Sequence, residues 1–154
     1  MYISDVFTSM FSLVFLGLFL IPVIFFLLTL QNTLKAISPE NRRMPPSNIW
    51  LLFIPLFNIV WQFIVVDRIA QSIGAECARL NIPVNDPKPT YGIGLAWNIC
   101  NCIAFIPFFG GLASLVTFII YWIKVAEFKK LIEANRDTFT LDAERNIFYG
   151  DKKI

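Results

Sequence analysis

The sequence predicts an all-α, polytopic membrane protein, and three observations predict it. Charge is excluded from three long windows, 6–34, 44–66 and 89–123, so that apart from Asp5 every Lys, Arg, Asp and Glu lies between or after them. The 154 residues are 56% hydrophobic and only 16% charged, where soluble domains carry roughly 25% charged residues. The last window holds a reversal signal, IPFFGG, in which Pro107 cannot donate to a continuing helix and Gly110-Gly111 supply backbone freedom. Together these predict one N-terminal span, a re-entrant or spanning segment at 48–66, and a C-terminal two-helix hairpin. Residues 1–136 are expected to form a single helical membrane domain and 137–154 a polar C-terminal tail.

Residues 6–34 read VFTSMFSLVFLGLFLIPVIFFLLTLQNTL, which at ~1.5 Å per residue exceeds a ~30 Å hydrocarbon core. Lys and Arg are missing before this run, while Lys35, Arg42 and Arg43 follow it. That pattern argues against a cleaved signal peptide and predicts an anchor with the amino terminus outside and the carboxyl terminus cytoplasmic. Pro22 is expected to kink the helix. Phe7, Phe11, Phe15 and Phe19 recur every fourth residue and form one slowly drifting stripe. Lipid contact is the simplest use of such a stripe; docking on a partner helix is the sharper one, and these four are the candidate partner-binding residues.

The segment KAISPENRRMPPSN is a charged elbow, with Ser38 as N-cap before Pro39 and with Ser47 or Asn48 available to cap the next helix. In the following IWLLFIPLFNIVWQFIVV, Pro55 and Asn58 interrupt the apolar run, and Trp50 and Trp61 stand eleven positions apart. In a straight helix that is ~16 Å of rise, too little to place both rings in opposite aromatic belts. A dip into the membrane puts both at one interface and keeps the basic segments on one side; the run is also long enough to cross. From 66 to 80 the pattern turns amphipathic, with Asp67, Arg68, Gln71, Ser72, Glu76 and Arg79 on one face and Ile69, Ile73, Cys77 and Leu80 on the other. Asn81 fits a left-handed C-cap, and Pro83, Pro87 and Pro89 make a stiff connector.

In the hairpin, Tyr91 at one mouth and Tyr121-Trp122 at the other are expected in one aromatic belt. Asn98 and Asn101 share a face at i, i+3, and bonds to Ser114 or Thr117 across the hairpin would satisfy amides that are costly in lipid. These four residues are the candidate intramembrane polar face, serving as interhelical glue or as a path for a small solute. The exit helix carries Lys124, Glu127, Lys129, Lys130, Glu133 and Arg136 on its polar side. The tail TFTLDAERNIFYGDKKI alternates weakly, as a short hairpin or a disordered end would.

One internal echo is visible. Ile54-Pro55-Leu56-Phe57 leads to Trp61 and Arg68, and Ile106-Pro107-Phe108-Phe109 leads to Trp122 and Lys129. The run NTLKAISPENRRMPPSNIWLLFIPLFNIVWQFIVVDRIAQSI, with GIGLAWNIC and IPFFGGLASLVTFIIYWIKVAEF after it, resembles an uncharacterised family of small multi-spanning bacterial inner-membrane proteins found in Bacteroidota. The shared features are the asparagine-arginine-proline elbow, the IP-x-F-N-x-x-W turn and the YW-x-K exit helix, over roughly residues 30–132. The resemblance implies a multi-pass inner-membrane location and carries no activity with it.

The chemistry expected is correspondingly sparse. Histidine is absent, Cys77, Cys100 and Cys102 form no C-x-x-C pair, and no phosphate-cradling loop or G-x-S-x-G elbow occurs. No catalytic, cofactor-binding or metal-binding residue is therefore assigned, and the chain is read as no enzyme. A net charge of +2 with no basic aromatic surface argues against nucleic acid. No Asp, Glu, Lys, Arg or His lies within a window, which leaves a proton relay without parts. Two functions fit: an interaction subunit, accessory or stabilising within a larger membrane protein assembly, or a transport or lipid-handling homo-oligomer. Membrane lipid is a partner in either.

Overall fold

The structure, a computed structural model, describes residues 2–103 and 110–150, with side chains throughout except at 2–4, 15, 19, 55, 110, 142 and 145–150. The described residues form helices α1 (Tyr2–Ala36), α2 (Pro55–Arg79), α3 (Tyr91–Ile103) and α4 (Gly110–Gly150), with 3-10 segments at Pro39–Asn41 and Pro46–Phe53 and no strand among them. Three helices, α1, α2 and α4, are long and apolar enough to cross a membrane.

The apolar window at 44–66 is two segments rather than one. The 3-10 helix Pro46–Phe53 runs in, the chain reverses at Ile54, and α2 runs back from Pro55. Trp61 Nε1 donates to the Asn48 carbonyl at 3.0 Å, which fixes the antiparallel register of this hairpin. The reversal is built from Pro55, whose ring suits the first helical turn and lacks the N–H that would be orphaned there. Ile54 N–H bonds Leu51 O and Asn58 N–H bonds Ile54 O, so the backbone stays paired across the turn.

A second hairpin follows. Trp97 of α3 meets Phe118 and Tyr121 of α4, with ring centroids 5.5 and 5.7 Å apart, and Gly94 faces Tyr121. A Cβ on Gly94 would lie 2.6 Å from Val66 Cγ1 and 2.8 Å from Tyr121 Cε2. Glycine is thus what lets α3 wedge between α2 and α4. The expected turn at 106–109 lies outside the described residues, and Gly110 and Gly111 stand as the first two residues of α4.

Beyond the apolar segments the charged ends assemble into a cap. Ile69, Ile73 and Cys77 of α2, Val125 and Ile132 of α4, and Ile37, Met44 and Ile82 from the connectors are buried together. α2 ends as expected at Asn81, whose φ is 53°. Asn81 N–H bonds Ala78 O and Ile82 N–H bonds Cys77 O, the pair of bonds that closes a helix through a left-handed residue. Buried Ile82 supplies the accompanying apolar contact.

Several expectations are corrected. Ser38 occupies the N-cap position but makes no cap bond, because its hydroxyl is bound to Glu76. Neither Ser47 nor Asn48 caps a helix: Pro45 precedes the 3-10 helix, and the Asn48 carbonyl serves Trp61. Tyr121 is fully buried and stacked on Trp97, so it belongs to the core and not to an aromatic belt. The tail forms no hairpin up to Gly150: α4 runs through 136/137 without a break, since no proline interrupts it and an established helix propagates easily.

Candidate functional site

Two places concentrate polar groups inside this fold. The first is a cavity of about 570 Å³ between α1 and the two hairpins. Its walls are apolar, with Pro22, Phe26, Leu52, Trp97 and Phe118 among them, and its polar groups are Asn58, Gln62, Asn101 and Ser114. Asn101 Nδ2 donates to Gln62 Oε1 at 3.2 Å, which joins the two hairpins at this level. Such a volume has the size and the mostly apolar lining of small-molecule sites.

The candidate polar face of Asn98, Asn101, Ser114 and Thr117 is dispersed by the packing. Asn101 and Ser114 line the cavity, but Asn101 bonds Gln62 across to α2 and not Ser114 across to α4. Thr117 returns its hydroxyl to the Ala113 and Ser114 carbonyls of its own helix. Asn98 is fully buried with neither side-chain polar atom partnered, and the Tyr121 hydroxyl is buried and unpartnered too. Of the phenylalanine stripe, Phe7 and Phe11 are 75% and 68% exposed; the side chains of Phe15 and Phe19 lie outside the described residues.

The second place is in the cap, where the sequence puts Glu76 and Arg79 on a polar surface face and the structure buries Glu76. Glu76 is fully buried. It accepts from Ser38 Oγ at 2.9 Å, Asn41 Nδ2 at 2.7 Å, and Arg79 at 2.6 Å. One helical turn back, the buried Ser72 hydroxyl accepts from Arg43 N–H at 2.9 Å. The side chain of Arg42 turns back on the carbonyls of Lys35 and Ile37 and so closes the C-terminus of α1. A carboxylate with three donor side chains, one of them the Arg79 cation, is satisfied in the way a buried charge requires. This is a clamp, with both carboxylate oxygens held by structural donors, Oε1 by Ser38 and Arg79 and Oε2 by Asn41.

Further out, Lys88 Nζ donates to Asp67 Oδ1 at 2.9 Å and stands 5.2 Å from the Tyr91 ring centroid. The Asp67 carboxylate beside it raises the Lys88 pKa above the ordinary lysine value. Arg79 Cζ lies 5.2 Å from the Phe139 ring centroid, tying the end of α2 to the outer part of α4. Among the described residues no group of three or more His, Cys, Asp and Glu side chains comes together. No protein-family model, curated protein or solved structure matches the chain.

Proposed function

We propose that this chain is a small integral membrane protein that works by contact, as an accessory or stabilising component of a larger assembly in the bacterial inner membrane. The observation that carries this reading is the outer part of α4. Past buried Ile132 the helix is anchored at Phe139 by Arg79, and around that anchor Arg136, Asp137, Thr138, Thr140 and Leu141 are all exposed. It is a helical arm tied to a clamped cap through the Arg79–Phe139 contact, which suits docking a partner at the membrane surface. Phe7 and Phe11 offer a second contact surface inside the bilayer.

In this reading only α1 crosses the membrane completely, although α2 and α4 are also long and apolar enough to cross when their charged outer turns are counted. Its charge-free run rises ~42 Å, whereas α2 rises ~18 Å from Pro55 to its first charge, Asp67, and α4 ~21 Å from Gly110 to Lys124. The described inward arms are as short, ~16 Å for the 3-10 helix and ~20 Å for α3 as far as Ile103, against a ~30 Å core. Phe53, Ile54, Leu56 and Phe57 at the first reversal are all exposed and apolar, as a tip in hydrocarbon should be. The amino terminus then lies outside and the charged cap in the cytoplasm, in keeping with the basic residues gathered there.

The test is purification of the tagged protein from native membranes in mild detergent, followed by mass spectrometry, alongside a variant ending at Phe139. Partner subunits at a fixed ratio, lost from the shortened variant, are expected. A lone homo-oligomer carrying lipid would instead favour the second reading, lipid or small-solute handling, for which the amide-bearing cavity is the supporting observation.

A further inference from the structure

In the reading above, five segments share the cap-side half of the membrane: α1, the 3-10 helix Pro46–Phe53, α2, α3 and α4. Toward its amino terminus α1 leaves the described residues of both hairpins: its buried side chains begin at Phe26, the cavity reaches it no further than Leu18, and Val6, Phe7, Met10, Phe11, Leu13 and Val14 are all exposed. In that reading, at about 10 Å across each helix, the five segments displace about 400 Å² of lipid area in one leaflet and α1 alone about 80 Å² in the other. Such a body is a wedge. It fits without strain only where the leaflet on its wide side is expanded relative to its opposite, which is the condition of positive curvature for the cap-side leaflet.

We infer that the protein recognises curved bilayer, concentrating where the membrane bulges toward its charged cap and stabilising that curvature when it accumulates. The inference rests on the partial depth of the two hairpins proposed above. The packing is suited to the task. The wedge has to hold its shape against lateral pressure, and the wide half is cross-braced by Trp61 on Asn48, Asn101 on Gln62, and Trp122 Nε1 on Thr29 Oγ1 at 2.9 Å. Gly94 brings α2, α3 and α4 to the closest approach side chains would otherwise prevent. Curvature dependence of this kind is known for shallow amphipathic insertions, and here it would come from helices fixed at half depth.

The experiment reconstitutes the full chain sparsely into vesicles spread from about 50 to about 400 nm in diameter, fractionates them by size, and measures protein per lipid. Trypsin added outside separates molecules with the cap outward, cleavable at Lys124 to Arg136, from those with it inward. Cap-outward molecules should be roughly threefold or more denser in the smallest vesicles, and cap-inward molecules depleted there. Equal density across sizes, or the same enrichment in both orientations, would overturn the inference. The hairpin depth is checked separately with Leu56→Cys, made with Cys100→Ser and Cys102→Ser: an impermeant thiol reagent should reach it from neither side. Labelling from the side opposite the cap would make the first hairpin a full crossing and remove the wedge, whereas an unlabelled Leu56→Cys with flat densities would reject curvature recognition alone.

Discussion

Asn41 Nδ2 lies 2.7 Å from Glu76 Oε2, so the elbow after α1 is bolted to the outer turn of α2 across thirty-five positions of sequence. The bolt joins α1 to the first hairpin through the connector between them, where the two helices otherwise touch little. Its loss should be felt by the whole cap.

Replacing Glu76 by Ala takes the shared acceptor from the half-buried Ser38, Asn41 and Arg79 donors. Breaking a buried charged network in this way costs about 3 kcal/mol, and the unfolding midpoint in detergent should fall by roughly 6–12 °C. Cys77, buried beside the clamp, is a local reporter. Its alkylation under native conditions should accelerate in Glu76→Ala and stay slow in a control such as Glu127→Ala on the exposed side of α4. An unchanged alkylation rate would mean that the elbow stays closed without its carboxylate.

Gly74 is where the connector crosses α2. A Cβ there would collide with the Pro87 carbonyl oxygen and stand 3.1 Å from the Pro87 carbonyl carbon. Gly74→Ala should therefore cost about 1–3 kcal/mol, as overpacking does. Gly92→Ala, with nothing within 4 Å of the new methyl, should be neutral or stabilising by up to ~1 kcal/mol in a helix. Thermal unfolding of the two variants side by side separates a steric requirement from general sensitivity to alanine.

The sequence made some of this legible and hid the rest for physical reasons. Charge exclusion marks lipid contact directly, and the three windows coincide with α1, with the first hairpin and with α3 and the start of α4. Asn81 was readable because a left-handed residue after an amphipathic run has few other uses. Glu76 was not, although the signal was present. It lies seven positions from Ile69 and three from Ile73, in phase with the buried stripe, and assigning it to the polar face followed its charge and ignored its angle. A buried carboxylate is intelligible only with its donors, and those stand on an elbow whose fold back onto α2 no periodicity reports. Ser38 misled for the same reason, its hydroxyl being taken by a partner far along the chain.

Trp122 and Thr29 join α4 to α1 across 93 positions. A double-mutant cycle with Trp122→Phe and Thr29→Val should give a coupling of about 0.6 kcal/mol, the usual worth of a hydrogen bond between membrane helices. A coupling near zero would leave ring packing against Phe26 as the whole of this contact.

The Asp67 and Lys88 pair predicts an alkaline effect with a definite sign. Because the folded-state pKa of Lys88 is raised, its contribution to stability is complete below the ordinary lysine value of about 10.4 and disappears as pH climbs through the raised value. Unfolding midpoints measured from about pH 9 to about pH 11.5 should fall more steeply for the native protein than for Lys88→Met. Parallel curves would show that the pair, half open to solvent, is screened to nothing.

The sidedness of the chain can be decided by three single cysteines at exposed positions, Val6→Cys, Glu40→Cys and Ala134→Cys. The contact of Asn41 with Glu76 requires the elbow and the outer half of α2 to share a compartment, and Arg79 against Phe139 brings α4 into the same one. Glu40→Cys and Ala134→Cys should thus react with an impermeant reagent from one side, and Val6→Cys from the other. With Lys35, Arg42 and Arg43 following α1 and no Lys or Arg before it, the shared side should be cytoplasmic, so in intact cells stripped of their outer barrier only Val6→Cys should label. An alkaline phosphatase joined after Ile154 should likewise be inactive. If Glu40→Cys and Ala134→Cys labelled from opposite sides, the cap could not exist in the membrane-inserted protein; if all three labelled together, α1 would lie along the surface and not cross it.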